Sequence, residues 1–219
     1  MSLDMIAQKK SDLVRKSLDA AVFVAPYSAE LPTALTDATG ELQPLPEGYV
    51  DLGWLSQDSG ASFSKETEIS EVMALGSMTA IRQDVTSTNS SLTVVALETN
   101  KATLELYSGV DLEAVQGDAA NGEVSFAEAT RPALRYFRVL AVMQDGAPGE
   151  EIYMARLFTR ASVSEVGEVA ASGEDPVQYE ITFTATPDNE TGYAVKYFFG
   201  GPGWLSLLEE AGFSQGNGS

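Results

Sequence analysis

Tyr179-Glu180-Ile181-Thr182-Phe183-Thr184-Ala185-Thr186 is the stretch on which the fold reading turns. Tyr179, Ile181, Phe183 and Ala185 alternate with Glu180, Thr182, Thr184 and Thr186, so one face is apolar and the other polar. A period of two is that of a strand, and one-sided polarity is typical of an antiparallel sheet with a single face on the core. Pro187-Asp188-Asn189-Glu190-Thr191-Gly192 predicts a turn, and Tyr193, Val195, Tyr197 and Phe199 predict the returning strand of a half-buried hairpin. Gly200-Gly201-Pro202-Gly203 then bends the chain into a helix over 204–211, with Trp204, Leu207, Leu208 and Ala211 on one side and Gly212 at its end.

Working outward, residues 133–143 read as a strand apolar on both faces except at Arg135 and Arg138. Such a strand is buried on both sides, or on one side in an interface. A turn at 145–149 leads to its partner at 151–161, with 163–172 as a continuation. Residues 78–99 predict a long hairpin, out along 78–87 and back along 91–99, with Thr88-Asn89-Ser90 at the tip. A helix is predicted at 100–108, stopped by Gly109. Segments 49–56 and 61–72 read as strands, and Ala21 to Ala25 as a short strand ended by Pro26. Between them, 27–47 is an arm with Pro32, Pro44, Pro46 and Gly40, and loops of this length are commonly functional or disordered. The spacing of Leu3, Ile6, Leu13, Val14 and Leu18 predicts an N-terminal helix over about 3–20. Together these elements predict a mainly β fold, an antiparallel β-sandwich or split barrel with flanking α-helices, as one domain over 1–219.

Composition narrows the chemistry. The 219 residues include 13 Lys+Arg and 32 Asp+Glu, a net charge of −19, with no His and no Cys. Ser-His-Asp, Cys-His and cysteine-metal chemistry are therefore excluded within the chain. Nucleic-acid affinity is disfavoured, because binding a duplex requires cations that displace counterions from phosphate. Acidic pairs such as Glu66/Glu68, Glu150/Glu151 and Glu209/Glu210 are expected by chance among 32 acids. Asp37 to Glu41 and Asp188 to Glu190 have oxygens for calcium but read better as polar turns. The glycines at 200–203 lack the Lys-Ser/Thr of a phosphate loop. The longest early apolar run, Ala20 to Ala25, is too short for a signal-peptide core or a membrane helix. We expect no catalytic site, metal or cofactor. Arg131, Arg135 and Arg138 admit two readings, internal pairing with acids or contacts between subunits.

Four runs carry a family resemblance: Gly48-Tyr-Val-Asp-Leu-Gly-Trp-Leu-Ser56, Phe63-Ser-Lys-Glu-Thr-Glu68, Ile81-Arg-Gln-Asp-Val-Thr-Ser87 and Ala102-Thr-Leu-Glu-Leu-Tyr-Ser-Gly109. In order and element type, over about 20–200, the chain resembles the major tail protein, or tail tube subunit, of long, flexible, noncontractile-tailed bacteriophages, particularly those of actinobacteria. The resemblance implies a non-enzymatic virion protein whose subunits close into rings, six to a ring, and stack into a tube for genome ejection. It implies assembly in the host bacterial cytoplasm, and as partners further copies and the tape-measure, tail-terminator and baseplate or tail-tip proteins. DNA would pass without specific binding, and no membrane is involved. The acidic charge then acquires a role, since an acidic bore repels phosphate. Lumen-facing candidates are Arg82, Asp84, Thr86 and Thr88, with Ile81 and Val85 expected toward the subunit core, and also Glu66, Glu68 and Glu71. Inter-subunit candidates are the arm 27–47, the basic Lys9, Lys10, Arg15 and Lys16, and the three arginines Arg131, Arg135 and Arg138. The competing readings are another β-sandwich virion component (a head decoration, tail terminator or adhesion module) and a hydrolase working with carboxylates alone.

Overall fold

The structure, a computed structural model, describes residues 9–214. Its frame is one antiparallel sheet of eight strands, and the fold is mainly β. The strands are β1 (Asp19–Pro26), β2 (Val50–Asp51), β3 (Ala61–Val72), β4 (Arg82–Ala96), β5 (Phe137–Asp145), β6 (Ile152–Val166), β7 (Tyr179–Ala185) and β8 (Val195–Gly200). Two helices accompany them, α1 (Lys101–Ser108) and α2 (Pro202–Leu207). The sheet order is β2-β1-β5-β6-β7-β4-β3, with β8 paired to β6 off this path.

The sheet curls over itself. Val22 and Val24 of β1 and Val139 and Ala141 of β5 share one buried cluster with Leu92 and Val94 of β4 and Ile181 and Phe183 of β7. Leu106 of α1 joins this cluster. A second cluster lies on the other face of β5 and β6, where Leu140, Tyr153, Ala155 and Leu157 pack against Leu31, Leu35 and Leu45 of the arm. This is why β5 reads as apolar on both faces: from Phe137 to Ala141 every residue is buried. Each fully buried Leu, Ile or Phe contributes about 1.5–3 kcal/mol, so the arm is held by packing although it carries almost no regular structure.

Several expectations are corrected. Residues 9–20 hold only a three-residue 3-10 turn, Ser11–Leu13, before β1 begins; residues 3–8 lie outside the described part. Val14 and Leu18 are exposed, so a helix there has no surface on which to bury its apolar side, and a short helix without one is marginal. The strand expected at 49–56 is cut to Val50–Asp51 by Gly53, whose φ of +85° is left-handed and whose missing Cβ makes room for the Glu98 carboxylate. That carboxylate accepts the Trp54 N–H at 3.0 Å.

The hairpin expected within 78–99 does not exist. Arg82–Ala96 is one continuous strand through Thr88-Asn89-Ser90, and its partner is β3, from Ala61 opposite Val94 to Val72 opposite Arg82. The reversal lies at 73–81, where Gly76 takes a φ of +84°. Polar residues that suggest a turn are equally at home in a strand facing water on both sides.

Nor do β7 and β8 form a hairpin. Both lie along β6: Ile181 stands opposite Val166 and Ala185 opposite Ala161, then Val195 opposite Phe158 and Gly200 opposite Tyr153. They are two halves of one edge, interrupted by an excursion at 186–194. The Thr186 N–H donates to the Arg160 carbonyl at 2.8 Å as the chain leaves, and the Thr159 N–H donates to the Ala194 carbonyl at 3.0 Å as it returns. The C-terminal helix begins two residues earlier than predicted, because Pro202 in its first turn presets the helical φ.

Candidate assembly surface

Three features stand outside the cores: a projecting ribbon, a polar face on the sheet, and a buried ionic cluster that shapes one end. The ribbon is the distal part of β3 and β4. β4 pairs with β7 only from Ser91 to Ala96, so residues 82–90 have β3 as their sole strand neighbour. Nine residues of strand extend roughly 30 Å. None of the residues 69–86 is buried. The ribbon nevertheless carries Ile69, Val72, Met73, Leu75, Met78, Ile81 and Val85. An isolated two-stranded ribbon is marginally stable in water, and an exposed apolar group of this size marks a contact surface.

Register assigns the two faces of β4. Leu92, Val94 and Ala96 point into the core, and by alternation Ser90 and Thr88 share their side of the strand. Ile81 and Val85, expected toward the core, are 64% and 65% exposed. The register shift between Glu68 and Ile69 leaves Thr86 as the extra residue of a bulge, so the alternation changes there: Val85 stands opposite Ile69 on the core side of the ladder, while Asp84 opposite Ser70 and Arg82 opposite Val72 share the face of Ser87, Asn89, Ser91 and Thr93. Thr88 thus falls on the core side of the strand, against expectation, whereas Arg82 and Asp84 share the polar face; Ile81 and Val85 are exposed because this part of the ribbon has no core beside it. Arg82 and Asp84 pair with one another at 2.6 Å on the exposed ribbon.

The polar face runs across β3, β4, β7 and the end of β6. Glu66 stands opposite Asn89 and Glu68 opposite Ser87, so these two acids lie on it; Glu71, opposite Gln83 and three residues beyond Glu68, falls on the other face of the ribbon. The Ser87 hydroxyl donates to the Glu68 carboxylate at 3.0 Å and the Gln83 amide to that of Glu71 at 2.7 Å. Ser64 and Ser91 hydroxyls meet at 2.7 Å, Thr93 and Thr182 at 2.9 Å, and Thr184 donates to Ser164 at 2.8 Å. Glu180, opposite Val95, extends the acidic character. Over these positions the face holds hydroxyls, amides and carboxylates and no Lys or Arg. Its hydroxyl ladder was not singled out from the sequence, although the alternation of Glu180, Thr182 and Thr184 already shows its β7 portion.

The arginine candidates divide. Arg138 is buried: its guanidinium pairs with Asp188, donates to the Thr159 carbonyl, reaches Glu190 at 3.8 Å and stacks 4.3 Å from the Tyr27 ring centroid. The Tyr27 hydroxyl donates to Asp188 at 3.0 Å, and Arg160 lies 3.8 Å over the Tyr136 ring. This cluster fastens the 186–194 excursion to the body. Burial pushes the Asp188 carboxyl up, but the Glu190 N–H, the Arg138 guanidinium and the Tyr27 hydroxyl outweigh it and hold the group below its ordinary value of 3.8. Nearby Tyr49 has no hydrogen-bond partner for its hydroxyl, and burial pushes it up to about 12. Arg135 pairs with Glu105 of α1 at 2.6 Å and with Asp111 at 3.8 Å. For Arg138 and Arg135 the structure thus shows internal pairing. Arg131 is exposed and makes no ion pair among the described residues.

Of the N-terminal cations, Arg15 pairs with Asp145 at 3.3 Å and Lys10 with Glu210 at 3.7 Å; Lys9 and Lys16 are exposed. The Asp37 carboxylate accepts the N–H groups of Thr39 and Glu41 at 2.8 and 3.1 Å, and the Asp188 carboxylate that of Glu190 at 3.0 Å, so both act as polar turns.

The exposed apolar ribbon marks a contact surface. The sequence matches the family model described as phage tail tube protein over residues 7–197. The chain belongs to that family, and it is a structural protein of the virion tail. No curated protein matches it. Among solved structures, a similar chain comes from the virion of a native gene transfer agent particle, with 12% identity, 88% of this chain and 99% of that one covered, and a TM-score of 0.37. Another comes from the anti-feeding prophage baseplate, with 11% identity, coverage of 84% and 93%, and a TM-score of 0.41.

Proposed function

We propose that copies of this chain close into rings, six to a ring, that stack into the tail tube of a long-tailed phage, and that the polar face of β3, β4 and β7 lines the bore through which DNA is ejected. The observation that carries this reading is the composition of that face: Glu66, Glu68 and Glu180 set among hydroxyls, with no cation at these positions, and with Arg82, further out on the ribbon, paired to Asp84. Phosphate gains nothing there, since no Lys or Arg displaces its counterions, and a duplex slides without being held. The ribbon supplies the contact that closes the ring, because its apolar residues and its exposed β3 edge are both satisfied only against another copy. In this reading Glu66 and Glu68 lie in the bore, Arg82 and Asp84 continue their face onto the ribbon, and Thr88 and Glu71 turn toward the neighbouring subunit. The chain performs no reaction and needs no cofactor. Host cytoplasmic assembly and contacts with tape-measure, terminator and tail-tip proteins belong to the same proposal.

Charge reversal tests it. Tubes assembled from E66K/E68K protein should retain duplex DNA at about 0.15 M salt, with a log–log salt slope of about −0.9 for each phosphate neutralised. Wild-type tubes should retain none. Equal retention by the two tubes rules these acids out of the bore.

A further inference from the structure

The two ends of β5 carry opposite charge. At its C-terminal end Asp145 holds the N-terminal segment, through the Arg15 guanidinium at 3.3 Å and the Lys16 N–H at 3.1 Å. At its N-terminal end Arg135 holds the base of the loop between α1 and β5, through Glu105 at 2.6 Å and the Val110 carbonyl at 3.5 Å. Phe137 and Asp145 mark the limits of β5, so the two anchors lie roughly 26 Å apart along the strand.

The loop is an arm that does not pack on its own subunit. Every residue from Gln116 to Leu134 is exposed. Its tip is nonetheless closed, since the Asp118 carboxylate accepts the N–H groups of Ala120 and Asn121 at 2.8 and 3.1 Å, and the Gly122 N–H donates to the Asp118 carbonyl at 2.8 Å. Asp111, Glu113, Asp118, Glu123 and Glu128 lie on it, and no Lys or Arg occurs between Ala102 and Thr130. Val124 and Phe126 are held out into solvent. The N-terminal segment mirrors this: Lys9, Lys10, Arg15 and Lys16 surround the exposed Val14 and Leu18.

We propose that the acidic loop 116–130 of one copy docks on the basic segment 9–18 of a second copy, joining the subunits head to tail. The charges are complementary, each side offers two exposed apolar residues, and the surfaces lie at opposite ends of β5. A heterologous contact that links opposite ends builds a filament where its rotation does not close on itself, as between stacked rings. The inference rests on the tube reading and names the axial contact between rings. Because its charges are exposed, the contact weakens as salt shortens the Debye length from about 10 Å at 0.1 M.

The test uses the full chain, with hollow filaments counted by electron microscopy and critical concentration measured by pelleting. Among the described residues, the side chains of Lys9, Lys16, Glu123 and Glu128 make no ion pair. K9E/K16E and E123K/E128K should each raise the critical concentration about tenfold or more, since each sets like charges against one another. The combined K9E/K16E/E123K/E128K chain restores the attraction with its sign reversed and should return close to wild type. Wild-type filaments with unchanged assembly of either double variant, or a combined variant no better than the doubles, would overturn the inference and leave the tube reading intact. If the wild-type chain forms no hollow filament at any concentration, the tube reading falls, and this contact with it.

Discussion

Replacing Arg138 by alanine is expected to destabilise the subunit by about 3–5 kcal/mol, because it leaves the Asp188 carboxylate buried without its cation. At about 2–4 °C per kcal/mol for a chain of this size, the melting temperature should fall by roughly 10 °C. The variant also loses the stack on Tyr27 and the donor to the Thr159 carbonyl, so the 186–194 excursion loosens from the body. R138M/D188L removes both charges and should recover part of the loss, which a double-mutant cycle measures directly. Acid sharpens the comparison. In wild type the Asp188 carboxyl lies below 3.8, so its stabilisation is complete above that pH and disappears as pH falls through the lowered value. In R138A the cation is gone and burial raises the carboxyl, so acid unfolding should begin at a higher pH. Calorimetry that finds a loss under 1 kcal/mol would show that the cluster is not what holds the excursion.

Removing the ribbon should abolish assembly and leave the fold intact. Glu68 and Ser87 are opposed in the ladder, so replacing residues 69–86 by Asn-Gly closes the hairpin on a two-residue turn suited to strand twist. No residue removed is buried, so the melting temperature should change by only a few degrees. In the proposed ring a neighbouring copy covers the apolar surface that is lost, so the variant should sediment as a monomer at concentrations where the wild-type chain assembles. A truncated chain that assembles as wild type does would place the ring contact elsewhere.

Much of the fold is legible in the sequence because alternation and capping are local. The Tyr179–Ala185 pattern marks β7, the doubly apolar 137–141 marks the most buried strand, and Asn100 with Gly109 brackets α1. Pairing is not local. The alternation in 179–199 identifies two strands but contains nothing to say that both lie on β6. Polar residues at 88–90 suggest a turn in a strand that water surrounds. The site differs from expectation for the same reason: Ile81 and Val85 have no core beside them on the ribbon, and the bulge at Thr86, which separates the face of Thr88 from that of Asp84 and Arg82, is set by pairing with β3 and leaves no mark in the local sequence. The Arg138–Asp188 pair was legible only as an arginine in need of an acid, since its partner arrives from a loop 50 residues away.

The central claim is tested most directly by a cryo-EM map of the assembled protein. The account predicts a hollow tube wide enough for duplex DNA, with Glu66, Glu68, Thr93, Thr182 and Thr184 lining the bore and the 73–81 turns seated against neighbouring copies. A map with those residues on the outer wall, or a bore too narrow for the duplex, would contradict it.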